Sequence, residues 1–230
     1  MSNSAYTNKY KQRWDECQPL FISNNYKQNE DYCLSDKYTV HVTEYAGKIN
    51  TWNLRGSESS LIDCNGNIVA KWRSIDNNGD FYSIVKHSNG NEYLIFRQDL
   101  YGYSVLDVAS GEIMQFFPES SLNGGETFIW TAIEYNAATN VLAVSGCYWA
   151  CPYSTHLFTF DDPMSEQQKY VDLIECFDGD YDIYDDVDFV KWENGDLHVT
   201  RYVIETKSNE AVMIKQNEYL TWLSEKGREL

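Results

Sequence analysis

Residues 80–112 read DFYSIVKHSNGNEYLIFRQDLYGYSVLDVASGE. Two turn signals punctuate the stretch, SNGN at 88–91 and ASGE at 109–112. Asn-Gly and Ser-Gly pairs supply the positive φ that tight hairpin turns require. The runs between them, YSIV, EYLIF and YSVLDV, are short and rich in β-branched and aromatic residues. Runs of that length bounded by turns are strands, not helices. The segment therefore predicts consecutive antiparallel strands joined by hairpins.

The same grammar extends in both directions. YTVHVTEY at 38–45 alternates, with Val40 and Val42 on one face and Thr39, His41 and Thr43 on the other, the signature of a half-buried strand. Further turns stand at CNGN (64–67), DNNGD (76–80), NAATN (136–140) and ENGD (193–196). Three segments share one order, an aromatic start, a turn, a hydrophobic strand and a strand ending near Asp, and a first segment fits it more loosely. They begin at Tyr38, Asp80, Glu126 and Asp186. A spacing of roughly fifty residues between equivalent turns is near that of propeller blades with four strands each. The expectation is an all-β chain, an antiparallel meander forming a small, four-bladed β-propeller-like domain over residues 36–230, with a β-sandwich as the alternative. Residues 1–35 read as a polar N-terminal extension with one helical turn near Tyr10–Trp14. DDPMSEQQ (161–168) reads as a short turn capped by Asp162. The tail from Gln216 places Leu220 and Leu223 before Lys226 and Gly227, which predicts a terminal helix with a glycine stop.

Composition narrows the function classes. The 18 basic and 35 acidic residues leave a net charge of −17. A phosphate backbone or an anionic membrane surface would be repelled, so neither nucleic acid nor membrane is expected as a partner. The opening MSNSAYTNKYKQRW has no apolar core of a signal peptide, and no apolar run reaches spanning length. The expectation is a cytoplasmic protein whose six cysteines are reduced, with no cofactor.

GCYWACPYSTHLFTFDD at 146–162 is the stretch richest in reactive side chains. Zinc would need a second close pair of ligands, and on a strand Cys147 and Cys151 would stand about 13 Å apart. A nucleophilic Cys147 would need His156 as its base, which frames a hydrolase or lyase around Cys147–His156 as one alternative. The flanking Tyr148, Trp149 and Tyr153 read instead as packing, or as the lining of an open face. Neither catalytic residues nor metal ligands are assigned. No GxSxG, GxGxxG, P-loop or HExxH motif occurs in the chain.

The segment from Glu126 to Pro163 resembles uncharacterised proteins with propeller-like repeats, which share an F-x-W-T … YN … LAV-x-GCYWACPY core. The resemblance covers about 40 of the 230 residues. It implies a shared fold and no catalytic residue.

Residues 161–188 carry eleven acidic side chains and one lysine. Asp178, Asp180 and Asp182 have the first spacings of a calcium loop, but Ile183 and Phe189 replace its glycine and its closing glutamate. Interleaved Tyr181 and Tyr184 suit contact with Arg or Lys. The leading expectation is a non-enzymatic binding protein. Its acidic, tyrosine-rich surface (Asp178, Asp180, Tyr181, Asp182, Tyr184, Asp185, Asp186, with Tyr148, Trp149 and Tyr153) would engage a basic protein, as an inhibitor or immunity-type protein would. A carbohydrate-binding module resting on exposed Trp52, Trp72 and Trp130 is the third alternative.

Overall fold

A computed structural model describes residues 8–75, 81–118, 121, 125, 127–149, 151–166, 168–177 and 181–229. The chain is all-β, and its described residues build four antiparallel sheets. Two compact units are distinguished: the first runs to residue 86 and resumes over 90–127, the second holds 87–89 and 128–230.

The first unit opens with α1 (Asn8–Cys17) and two short 3-10 turns. Then come β1 (Tyr26–Cys33), β2 (Tyr38–Ile49), β3 (Trp52–Asp63) and β4 (Ile68–Ile75), paired in that order. A second meander follows, β5 (Tyr82–Lys86), β6 (Glu92–Phe96), β7 (Tyr103–Asp107) and β8 (Ile113–Phe116). Alternation puts Val40, Val42, Leu61 and Trp72 of the first sheet into one core with Leu94, Phe96 and Leu106 of the second. The polar extension expected over 1–35 is in part integral to this unit. Tyr10 is 1% exposed. It stacks on Phe117 at 4.1 Å and takes a 2.9 Å hydrogen bond from Gln115. β1 is an edge strand exposed along most of its length, so it never needed the apolar alternation by which strands are recognised.

The second unit contains β9 (Ile129–Asn136), β10 (Val141–Cys147), β11 (Tyr153–Thr159), β12 (Lys169–Asp172), the helical turn α2 (Leu173–Cys176), β13 (Tyr184–Glu193), β14 (Asp196–Val203), β15 (Ser208–Ile214), α3 (Gln216–Glu225) and β16 (Arg228–Glu229). β16-β12-β11-β10-β9 form one sheet and β13-β14-β15 another. Val141, Ala143, Leu157 and Val171 of the first share a core with Val187, Leu197, Val199 and Ile214 of the second, closed by Tyr219 and Leu223 of α3. The ENGD hairpin turns with Asn194 and Gly195 at φ 54° and 88°, the pair of positive values that a type I′ turn needs. Asp162 caps a turn only: its carboxylate accepts from the Met164 N–H at 3.3 Å. The DNNGD turn lies outside the described residues.

Candidate binding site

The register of β10 against β11 sorts the residues of the 146–162 stretch. Val144 faces His156 and Cys147 faces Tyr153. Directly paired residues share a face and successive residues alternate. Cys147 is three positions from Val144, so it belongs to the opposite face from His156. The strand pairing thus separates the two groups that a cysteine nucleophile with its base would require side by side. Across the turn, the Cys151 N–H donates to the Tyr148 carbonyl at 3.2 Å.

His156 instead meets Asp172, its partner across β11 and β12. Both side chains are buried, and His156 Nε2 stands 3.4 Å from Asp172 Oδ2. Neither ring nitrogen makes a hydrogen bond among the described residues. The Phe128 ring lies on His156 at 3.6 Å and 10°, and Tyr170 lies near-parallel at 5.7 Å. Asp172 accepts from Ser154 Oγ at 2.9 Å, from the Ile174 N–H at 2.9 Å and from Tyr181 OH at 2.8 Å. Burial would raise the Asp172 pKa. The neighbouring His156 ring and these donors outweigh it and hold the carboxyl at about 2. Burial, then Asp172, pushes the Tyr181 phenol upward. Burial, then Tyr170 and Asp172, takes Tyr148 up to about 12. The Cys176 thiol is pushed up to about 11 by burial, which suppresses thiolate and nucleophilicity. This is a satisfied carboxylate under an aromatic roof, a geometry that organises the sheet edge.

That edge joins the two groups of residues singled out by composition. Asp186 Oδ1 accepts from the Tyr153 N–H at 3.0 Å, and Thr155 Oγ1 donates to the Val187 carbonyl at 2.8 Å. β13 is thereby stitched to β11. Tyr153, 50% exposed, opens β11 at this seam, and Trp149, 57% exposed, lies in the connection just before it; Asp182, Ile183 and Asp185 are exposed around the start of β13. Asp188 is raised by partial burial and then by Asp186. Not every predicted residue keeps a free face. Tyr184 already lies under the Arg201 guanidinium at 4.6 Å, which also sits over Phe177 at 5.0 Å. Tyr181 is committed to Asp172. Asp178 and Asp180 lie outside the described residues, and the calcium-loop spacing with them. Among the described residues, no three His, Cys, Asp or Glu side chains form a group able to hold a metal ion, and no helix is long and apolar enough to cross a membrane.

The carbohydrate alternative rested on three tryptophans. Only Trp52 is exposed, at 71%, whereas Trp72 and Trp130 are 6% and 2% exposed. Trp72 falls on the core side of β4 and packs on Phe96 at 4.4 Å. Trp130 packs on Phe158 at 4.7 Å. The residues that sequence reading missed are Asp172 and Ser154. Their one signal was the Asp that ends YVD before an apolar run, a helix N-cap pattern.

No protein-family description matches the chain, and no curated protein matches it in sequence. Among solved structures, one described as a Synechocystis ACO mutant aligns at 10% identity with a TM-score of 0.29, covering 88% of this chain and 61% of that one. This chain therefore spans less than two thirds of that structure's length, and a likeness so low carries no argument about fold or activity.

Proposed function

We propose that the protein is a non-catalytic binding protein whose second unit captures a basic polypeptide at the corner formed by Trp149, Tyr153, Asp182 and Asp185. The observation that supports the reading is the Asp186–Tyr153 backbone bond, which ties the exposed Tyr153 at the start of β11 to β13, whose approach carries the exposed Asp182 and Asp185. Aromatic side chains offer area at low entropic cost, and carboxylates steer and orient Lys or Arg. In the same reading, the four meander sheets are the blades of a small four-bladed propeller, the fold implied by the resemblance of the 126–163 segment. Apart from β16 on β12, each sheet pairs sequence neighbours, and two sheets share a core in each unit. A cytoplasmic setting and an inhibitor or immunity-type role belong to this proposal.

The test is capture of a labelled Arg- and Lys-rich polypeptide, followed by anisotropy. The variant Asp182→Asn/Asp185→Asn/Trp149→Ala should weaken capture by about 2 kcal/mol or more, as loss of a central anchor does, and leave the melting temperature alone. Asp186 is spared because it holds the Tyr153 backbone. Undiminished capture by that variant rejects the corner as the binding surface.

A further inference from the structure

The first unit carries a second, chemically different surface. The alternation that sends Val40, Val42, Leu61 and Trp72 into the core sends their neighbours to the other face of the sheet. Register aligns those neighbours in two cross-strand rows. His41 pairs with Ser60 and Ser60 with Lys71; Thr43 pairs with Glu58 and Glu58 with Arg73. A cleft of about 370 Å³ is lined by these six residues, with Ser59 and Trp72 between them. That size falls in the range of small-molecule sites.

Charge in the cleft is arranged unevenly. Glu58 is spent internally. It accepts from Arg73 Nε at 2.9 Å and Nη2 at 2.6 Å, and from Tyr45 OH at 2.7 Å. Burial raises its pKa, but Tyr45 and Arg73 prevail and lower it, so it stays ionised and paired. Arg73 is fixed further by Gln18 at 2.5 Å and by the Phe21 ring beneath it at 4.6 Å. His41 directs Nδ1 at Asp31, 2.6 Å away, which leaves Nε2 uncommitted. Lys71 is exposed and has no ion-pair partner among the described residues, in a chain with 35 acidic side chains. The Thr43 and Ser60 hydroxyls stand on the same face as the Lys71 ammonium, which lies close enough to Glu58 to help lower its pKa but is held in no ion pair among the described residues.

We propose that this cleft binds a small phosphate-bearing ligand. The Lys71 ammonium pairs with the phosphate, the Ser60 and Thr43 hydroxyls donate to its oxygens, and the Arg73 edge closes one side. The negative exterior selects against polyanions, so the ligand is a small molecule and not a nucleic acid. The shared chemistry is a phosphate group, free or as the monoester of a small alcohol or sugar.

Calorimetric titration of the whole chain at low ionic strength with inorganic phosphate, and separately with glycerol phosphate and a pentose phosphate, tests the proposal. Saturable binding in the range of about 1 mM or tighter is expected. Lys71→Gln should weaken it by about tenfold or more, as loss of a charge-assisted contact does. Ser60→Ala should weaken it less, and Lys86→Gln, an exposed lysine on β5, should leave it unchanged. Tighter binding of a monoester than of free phosphate assigns the site to the ester, and equal binding assigns it to free phosphate. Absence of saturation with every probe overturns the proposal. So does a Lys71→Gln protein that binds as the parent does.

Discussion

Gly146 governs how His156 is held. A Cβ at this position would come 2.2 Å from the Ile129 carbonyl and 2.8 Å from the Phe128 ring, and that ring is the one stacked on His156. Backbone cannot yield as a flexible side chain can. Gly146→Ala should therefore destabilise the protein by about 2 kcal/mol, read as a lower denaturation midpoint at unchanged slope. Asp172 offers a complementary test through pH. Its folded value of about 2 lies below the ordinary 3.8. Its contribution, about 2 kcal/mol, is complete above about pH 5 and is lost as the pH falls through 3.8 to below 2. Denaturant titrations across that interval should show the fall in the parent chain and a shallower one in Asp172→Asn. Equal slopes would remove Asp172 from the account of acid sensitivity.

Elements differ in how openly the chain announces them. The hairpins at 88–91, 109–112 and 193–196 are legible because positive φ is a local demand and Gly or Asn answers it locally. α3 is legible because an apolar pair, Leu220 and Leu223, is followed within about two turns by the glycine stop at Gly227. Leu223, 3% exposed in the core of the second unit, should cost about 3 kcal/mol when cut to Ala, measured by thermal or chemical unfolding. β1 is silent in the sequence because an edge strand exposed along most of its length, with Tyr32 its one side chain packed against the core, displays no apolar alternation. The candidate site is legible by half. Carboxylates and tyrosines crowd into 161–188, and their crowding is visible. That Asp186 would tie down the Tyr153 backbone is a pairing across 33 residues, and it depends on how two sheets stack. The His156–Asp172 pair is hidden for the same reason, since the register of two strands separated by a loop creates it.

At the scale of the whole molecule, charge is the dominant property. Surface carboxylates act over about 10 Å at 0.1 M salt. Capture of a basic polypeptide should therefore weaken steadily as salt rises, chiefly through slower association. Binding that ignores salt would point to an apolar mode and against the carboxylates. Arg201 bears on the same surface. Its guanidinium occupies the Tyr184 ring and pairs with Glu210 at 3.0 Å. Arg201→Met should free that aromatic face for an incoming cation and tighten capture by a few-fold. The distribution of tryptophans has an optical consequence. Trp52 stands in water in the first unit and Trp149 in the second, while Trp72 and Trp130 are enclosed. A collisional quencher will dim the two exposed indoles first, and removal of Trp149 will subtract one of them. The chain therefore carries its own fluorescent label at the proposed docking corner and a reference emitter in the other unit, so occupancy can be followed without a dye.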